Sequence, residues 1–317
     1  MTELVAALDG TFARDVIRGF SQPRKSIPAR YFYDLRGSEL FDEITRLPEY
    51  YPTRTELGLL RRHTADLARL AGHRRTVVEF GAGSATKTPV LLDAVGAETF
   101  VAIDISGEYL ARSVAALAQT RPGLRVVPVE GDFTRPLDLA ALPRPLTGFF
   151  SGSTIGNFGH RAAVDLLRSF RATLGDDARL VIGIDTRKNP HLLEAAYDDA
   201  AGVTARFNLN LLARINRELG GTIPVDAFDH RAFWHDGHGR IEMHLVATRD
   251  LAFQVQGRHF AMRGGETIHT ENSYKYTAAE ARVIARAAGW EPLVHWTDPE
   301  ALFGLHVWAA ATDEGEP

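Results

Sequence analysis

The hydrophobic positions follow two different patterns in two parts of the chain. From about residue 76, short runs such as "TVVEF", "TFVAIDIS", "LTGFFSGST" and "ARLVIGIDT" are apolar along nearly their whole length, and amphipathic helical stretches separate them. Strands of this kind, each followed by a helix, are typical of a parallel sheet that is covered on both faces. Residues 74–186 therefore predict a doubly wound, Rossmann-like α/β core.

The regions on either side of this core have other patterns. Residues 1–73 indicate a mainly helical N-terminal segment. Residues 187–276 begin with a helical stretch and continue as "RIEMHLVATRDLAFQVQGRHFAMRGGETIHTENSYKY", which alternates with a period of two and predicts antiparallel strands. We interpret this part as an inserted α+β domain. In residues 277–317 a helix precedes "EPLVHWTD" and "GLHVWAAAT", and we expect these strands to return to the core sheet.

Composition excludes several kinds of function. The net charge of −4 lacks the basic excess of a nucleic-acid-binding protein, and the absence of cysteine excludes disulfides, thiolate metal sites and cysteine nucleophiles. The N-terminus has no signal-peptide pattern, and no apolar run reaches the roughly 18 residues that span a bilayer. We expect a cytoplasmic protein with a small-molecule substrate, which binds neither nucleic acid nor membrane. A monomer is the expected state.

The stretch "VVEFGAGSATKT" indicates a strand that turns through two glycines into a helix, a common place for a nucleotide. A phosphate-binding loop would need Gly-Lys-Ser/Thr, but Thr86 precedes Lys87 here. A dinucleotide site would place a third glycine where Thr86 stands. The third interpretation is S-adenosyl-L-methionine (SAM), for which Glu79, Gly81 and Gly83 suffice.

The next two strands favour the SAM interpretation. Asp104 ends the second strand, where a carboxylate accepts hydrogen bonds from ribose hydroxyls in NAD and SAM sites alike. Asp132 and Phe133 follow the third strand, where they suit the amine and the ring of adenine. Alone, Asp132 is equally well explained as a turn or helix-capping residue.

Other polar residues are candidates for the site of a methyl acceptor. The fourth strand ends in "SGSTIGNFG", where Asn157 could orient an amine or a carboxylate or could simply belong to a turn. In "HTENSYKY", Glu271 and Ser273 point to one face of an extended segment, where they could bind a polar ring or a cation or could simply belong to an exposed strand face. Four histidines in "DHRAFWHDGHGRIEMHL" match no closed zinc pattern, so we expect histidines on a solvated hairpin and no metal.

Taken together, the motifs resemble the histidine-specific Nα-methyltransferases of ergothioneine biosynthesis. The residues that carry the resemblance are "KSIPARYFYD", "GSELFDEITRLPEYYPTR", "EFGAGSATKT", "GDF", "GSTIGN", "YDDAAGVTARFNLNLLARINREL", "RIEM" and "TENSYKY", which span nearly the whole chain. The resemblance implies a class I SAM methyltransferase that converts L-histidine to trimethylhistidine (hercynine) and releases S-adenosyl-L-homocysteine. It also implies that the N-terminal segment and the insertion form the lid and walls of the substrate pocket.

The resemblance assigns the individual site residues. The implied cofactor contacts are Gly81, Lys87, Asp104, Asp132 and Phe133, although Lys87 could instead only begin a helix. The implied amino-acid pocket consists of Tyr33, Tyr50, Gly152, Asn157, Tyr197, Met243, Glu271 and Ser273. Within it, Asn157 and Tyr197 would bind the carboxylate, Glu271 and Ser273 the imidazole, and Tyr33 and Asn157 would be the catalytic residues at the α-amine.

Three alternatives remain open on the residues alone. The acceptor could be another amino acid or a small amine. An NAD-dependent oxidoreductase has the same core, but the missing third glycine argues against it. A SAM-binding protein without catalysis is the third.

Overall fold

The computed structural model describes residues 2–83 and 86–311, and only the backbone of residues 2–9. Two compact units alternate along the chain: residues up to 50 together with 189–273 form one, and residues 51–188 together with those from 274 onward form the other. We call them the acceptor unit and the donor unit, after the ligand to which the sequence analysis assigns most of their candidate residues; Gly152 and Asn157, assigned to the amino-acid pocket, are residues of the donor unit. The predicted boundaries at 73, 186 and 276 stay predictions, and the predicted C-terminal segment continues beyond the described residues.

The donor unit is built on a seven-stranded sheet with the order β12-β13-β6-β5-β2-β3-β4. Its strands are β2 (Thr76–Phe80), β3 (Thr99–Asp104), β4 (Arg125–Glu130), β5 (Leu146–Phe150), β6 (Arg179–Asp185), β12 (Trp290–Thr297) and β13 (Phe303–Ala310). Neighbours from β4 to β6 are parallel, while β13 runs antiparallel to both β6 and β12. The sheet therefore has five parallel strands, and the last two described strands, β12 and β13, lie at one side of it.

Helices cover both faces of this sheet. They are α3 (Tyr51–Arg62), α4 (Thr64–Ala71), α5 (Thr88–Val95), α6 (Gly107–Thr120), α7 (His160–Leu174) and α10 (Ala278–Ala287). Successive residues of β2 enter different cores: Val77 packs with Leu59 and Leu60 of α3, whereas Val78 packs with residues of α7 and α10. This two-sided burial explains why the strands lack a polar face.

The acceptor unit contains a four-stranded sheet with the order β1-β11-β8-β7 and a separate hairpin, β9-β10. The strands are β1 (Lys25–Ser26), β7 (Phe228–His235), β8 (Arg240–Ala247), β9 (Leu251–Val255), β10 (Arg258–Met262) and β11 (Thr267–Tyr274). The helices are α1 (Thr2–Phe20), α2 (Leu35–Ile44), α8 (Pro190–Tyr197) and α9 (Val203–Leu219). Antiparallel pairing is found in β7-β8 and β9-β10, but β1 pairs with β11 in parallel, which the alternating pattern does not reveal.

Candidate active site

The glycine loop after β2 approaches a neighbouring aromatic ring closely. Gly81 and Gly83 both have positive φ angles, 75° and 48°. The amides of Gly81 and Ala82 donate to the carbonyl of Ile103, at 2.8 and 3.1 Å, which holds the loop against the end of β3. A Cβ atom on Gly81 would lie 3.5 Å from the ring of Phe133. A side chain at Gly81 would be strained and would cover the Phe133 ring.

Asp104 lies at the carboxyl end of β3, next to this loop. Its Oδ2 accepts from the amide of Gly83 at 3.2 Å, and its Oδ1 accepts from the amide of Ser106 at 2.9 Å. Burial raises the pKa of Asp104, and the backbone amides oppose that rise. The amide of Ile105 is a third donor to Asp104, so about one of the four acceptor positions of an ionised carboxylate stays open for a ribose hydroxyl.

Asp132 and Phe133 follow β4, the edge strand. One oxygen of Asp132 accepts from both the amide and the hydroxyl of Thr134, at 3.0 and 2.6 Å, so this residue does form a turn. The Phe133 ring packs edge-on against Phe80 and Phe150, with centroids 6.5 and 5.8 Å away. These turn contacts use only one carboxylate oxygen of Asp132. They are therefore compatible with the adenine role, which stays a prediction.

Glu79, the acidic residue of the glycine motif, is 2% exposed and bonds within the protein. The Thr88 hydroxyl, in the first turn of α5, donates to its Oε2 at 2.6 Å. Burial raises the pKa of Glu79 to about 8. Glu79 therefore joins the glycine loop to α5 and is not on the surface that a ligand meets.

Lys87 forms an ion pair that the sequence analysis did not predict. Its ammonium is 2.5 Å from Oε2 of Glu56 in α3, and the same oxygen accepts from the amide of Gly152 at 2.8 Å. The Lys87 side chain is 13% exposed and that of Glu56 is fully buried. The signal available in the sequence was the position of Glu56, a charged residue on the apolar side of an amphipathic helix.

The turn after β5 carries the predicted residues Gly152 and Asn157. Gly152 and Ser153 have φ angles of 74° and 57°, and the short helix Thr154–Asn157 follows. The Ser153 hydroxyl accepts from the amide of Asp185 at 2.9 Å, which fastens the turn to β6. Asn157, at the end of this short helix, is partly exposed.

In the acceptor unit, aromatic rings bring three predicted residues together. Phe41 packs edge-on against Tyr33 and Tyr50, with centroids 5.8 and 6.1 Å away. Tyr50 in turn lies 6.3 Å from Tyr197. Because Tyr33 and Tyr50 come from the N-terminal segment and Tyr197 from the insertion, the structure unites residues that are far apart in sequence. Phe41, which connects two of them, was missed by the sequence analysis.

Tyr197, the last of these rings, also contacts strand β11. The hydroxyls of Tyr197 and Ser273 are 2.7 Å apart and share a hydrogen bond. Ser273 is 2% exposed and Glu271 is 9% exposed, so both side chains are buried as the predicted pairing requires. Met243 is also buried, and its carbonyl accepts from the hydroxyl of Thr270, the residue before Glu271. The acceptor unit thus combines buried hydroxyls, a carboxylate and aromatic rings, which suits a small polar ligand.

The expectation of histidines on a solvated hairpin is wrong for His230, whose side chain is 1% exposed. Its Nε2 is 2.8 Å from the backbone carbonyl oxygen of Tyr197, and its Nδ1 is 2.9 Å from Nδ2, the side-chain amide nitrogen of Asn208. Since that amide nitrogen is a donor, Nδ1 must accept and Nε2 must carry the proton. Burial lowers the pKa of His230, in agreement with a neutral ring. His230 therefore supports the backbone of Tyr197.

His244 also departs from that expectation, because it belongs to a stacked row of rings. It stacks on Phe233 and on His269, with centroids 5.2 and 4.7 Å away. Among the described residues, Glu242, His244 and His269 have metal-ligating atoms within 4.8 Å of one another. However, the two oxygens of Glu242 already bond to Arg240 and to His244. These contacts account for the cluster without a cation.

The residues of the donor unit fit SAM. Gly81 leaves the Phe133 ring uncovered, and Asp104 presents a carboxylate at the end of β3. These groups lie around the glycine loop, where they suit an aromatic base and a ribose. In the part of the chain with described coordinates, no helix has both the length and the apolar character needed to cross a bilayer.

Comparison with known families agrees with this geometry. A family model described as histidine-specific methyltransferase, SAM-dependent, matches residues 12–310. The chain belongs to this family. A histidine N-alpha-methyltransferase of Mycolicibacterium smegmatis is 41% identical over 301 residues, which cover 93% of each chain. Its counterpart in Mycobacterium tuberculosis is 39% identical over 302 residues, again 93% of each chain.

The chain also has more distant relatives that are named for other activities. A 4-dimethylallyltryptophan N-methyltransferase of Aspergillus fumigatus is 26% identical over 317 residues, which cover 93% of this chain and 92% of that one. Membership of the family confirms the predicted class I SAM methyltransferase fold and the SAM-dependent enzyme class. The individual site residues stay predictions.

Proposed function

We propose that this protein transfers three methyl groups, one after another, from SAM to the α-amine of L-histidine, giving hercynine for ergothioneine biosynthesis. The observation that carries the proposal is the buried carboxylate of Glu271, two residues before the Ser273 hydroxyl that bonds to Tyr197. An ionised carboxylate accepts hydrogen bonds only, so it suits the N–H of an imidazole.

Glu271 would select histidine chiefly by excluding other side chains. An aliphatic side chain has no N–H to donate to this carboxylate, so it would lack a hydrogen bond to a charged group that is worth about 1.5–3 kcal/mol. Ser273 would be the second partner of the ring. Met243, buried on the neighbouring stretch of β8, would supply the apolar wall.

The other predicted residues would bind the backbone atoms of the amino acid. Asn157 and Tyr197 would hold the carboxylate, and Gly152 and Tyr33 would face the amine. The hydrogen bond between Tyr197 and Ser273 would then join the carboxylate contact to the imidazole contact. Tyr50, between Phe41 and Tyr197, would pack on the ligand.

Methyl transfer is an in-line displacement, so correct positioning of the amine is the main requirement. SAM supplies, when bound, an electrophilic methyl group on a cationic sulfur. The residues that would bind SAM are Gly81, Lys87, Asp104, Asp132 and Phe133. The Tyr33 hydroxyl would orient the amine lone pair and pass the released proton to water. A pocket that accepts the growing methylammonium allows the second and third transfers.

We also propose that the enzyme acts as a cytoplasmic monomer without a metal. The absence of cysteine excludes thiolate metal ligands and is in keeping with a reducing compartment.

A time course with SAM and L-histidine tests the proposal. We expect mass gains of one, two and finally three methyl groups, and fragmentation that locates all of them on the α-nitrogen. Methylation of the ring nitrogen, or a reaction that stops after one methyl group, would contradict it. A heat-inactivated sample is the control.

A further inference from the structure

Glu56 is a charged residue in a position that normally holds an apolar one. It lies in α3 three and four residues before Leu59 and Leu60, on the same face of the helix, and all three are buried. A fully buried carboxylate costs several kcal/mol in lost hydration unless partners offset it. Its position therefore needs a reason beyond packing.

The partners of Glu56 come from two predicted binding segments. Its Oε2 pairs with the ammonium of Lys87, beside the glycine loop, and accepts from the amide of Gly152, in the turn after β5. Its Oε1 lies over Gly183 of β6, where a Cβ atom would be only 2.0 Å away. Glu56 thus fixes Lys87 and Gly152 from the side of the protein core.

We propose that Glu56 is a positioning residue, which holds the ammonium of Lys87 for the carboxylate of the methionine part of SAM. The inference rests on the cofactor role that the proposed function gives to Lys87. Glu56 itself does not touch the ligand. Its two hydrogen-bonded partners explain how a residue of α3 can affect cofactor binding.

Two effects of Glu56 oppose each other. Its negative charge repels the carboxylate of the ligand, so its removal could strengthen binding. However, a Lys87 ammonium that is only 13% exposed would lose its compensating partner and its fixed direction. We infer that fixing Lys87 outweighs the repulsion, because an ion pair at hydrogen-bond distance restricts a long, flexible side chain.

Calorimetry on Glu56→Gln with two ligands tests this. S-adenosylhomocysteine has the methionine carboxylate, whereas 5′-methylthioadenosine has the same nucleoside without the amino-acid part. We expect S-adenosylhomocysteine to bind about tenfold more weakly, and methylthioadenosine to bind as it does to the wild type. Glu98→Gln, which changes a carboxylate that is 72% exposed, should leave both affinities unchanged.

Three results would overturn the proposal: equal weakening of both ligands, unchanged affinity for both, or tighter binding of S-adenosylhomocysteine. In a Lys87→Met background, Glu56→Gln should no longer weaken the binding of S-adenosylhomocysteine, since the residue acts through Lys87 and only its repulsion of the ligand carboxylate is left to remove; a further loss of affinity there would also overturn the proposal. If Glu56→Gln does not fold, Glu56→Asp keeps the charge but shortens the reach, and the same ligand-specific loss is expected. No acceptor is present in these titrations, so they remain informative even if histidine is not the substrate.

Discussion

The donor unit and the acceptor unit place their candidate ligand contacts in different ways. In the donor unit the contacts follow the carboxyl ends of parallel strands: the glycine loop after β2, Asp104 at the end of β3, Phe133 after β4 and Gly152 after β5. In the acceptor unit they come from separate helices, loops and one strand, and aromatic packing brings them together.

This difference determines what each unit can recognise. The donor unit uses backbone turns and short acidic side chains, an arrangement that suits one ligand shared by many enzymes. The acceptor unit uses a buried carboxylate and hydroxyls among aromatic rings. In such a site a single amino-acid substitution changes which ligand can form hydrogen bonds with the protein. Substitutions at Asp104 of the donor unit and at Glu271 of the acceptor unit should therefore have separable effects on the binding of donor and acceptor.

The largest expected effect belongs to Glu271→Ala. We expect kcat/KM for histidine to fall by about 100-fold or more, because a hydrogen bond to a charged group is lost from a buried site. The affinity for S-adenosylhomocysteine should not change. Steady-state kinetics measure the first quantity and calorimetry the second.

Glu266→Ala is the matched control, since Glu266 is a half-exposed carboxylate nearby in sequence that pairs only loosely with Lys25, at 3.6 Å. It should retain wild-type kinetics. If Glu271→Ala also kept wild-type kcat/KM, the imidazole assignment would be wrong.

Asp104→Asn should weaken binding of the cofactor and leave the kinetics with histidine nearly unchanged, which is the reverse of the effect of Glu271→Ala. We expect the affinity for S-adenosylhomocysteine to fall by about 10- to 100-fold, because one charged acceptor for the ribose becomes a neutral amide. The KM for histidine at saturating SAM should stay within about twofold of wild type. Asp93→Asn is the control, because Asp93 pairs with Arg121 on the surface. Equal binding by both variants would refute the ribose role.

Glu79→Gln should change stability rather than binding. The pKa of Glu79 rises from 4.5 in the unfolded protein to about 8 in the folded protein. Between these pH values the folded state keeps a proton that the unfolded state has lost. The wild type should then lose stability as pH rises from 4.5 to 8, and the glutamine variant should not. At pH 8 the variant should be more stable by about 1–4 kcal/mol.

Urea unfolding at pH 5 and at pH 8 measures this difference. The gain should be much smaller at pH 5, because pH 5 is only slightly above the unfolded-state pKa of 4.5 and the wild type has lost little of its stability there. A difference between variant and wild type that stayed the same at pH 5 and pH 8 would contradict the raised pKa of Glu79.

The smallest effect is expected for Tyr197→Phe. This change removes the hydrogen bond to Ser273 but keeps the ring that packs on Tyr50. The KM for histidine should rise by about tenfold, because the hydroxyl that bonds to Ser273 is also the one proposed to bind the substrate carboxylate. Tyr31→Phe, which removes a hydroxyl from the network around Asp15, is the control. A change of similar size in that control would show that the effect is not specific to Ser273.

Much of the donor unit could be predicted from the sequence, because its signals are local. Each strand is a short apolar run, and the polar residues that matter follow it directly. The family resemblance supplied the residues of the acceptor unit, which no periodic pattern brings together. The burial of His230 and the role of Phe41 depend on packing between distant segments, so the sequence pattern could not reveal them. The Glu56–Lys87 pair joins residues 31 positions apart in sequence and was missed for the same reason.

The most direct test of the central claim, that the acceptor unit selects histidine, is a single reaction with SAM and all the common amino acids, followed by mass analysis. We predict three added methyl groups on histidine and none on the other amino acids. Methylation of another amino acid in preference to histidine would contradict the claim, and so would a mixture in which no amino acid gains mass.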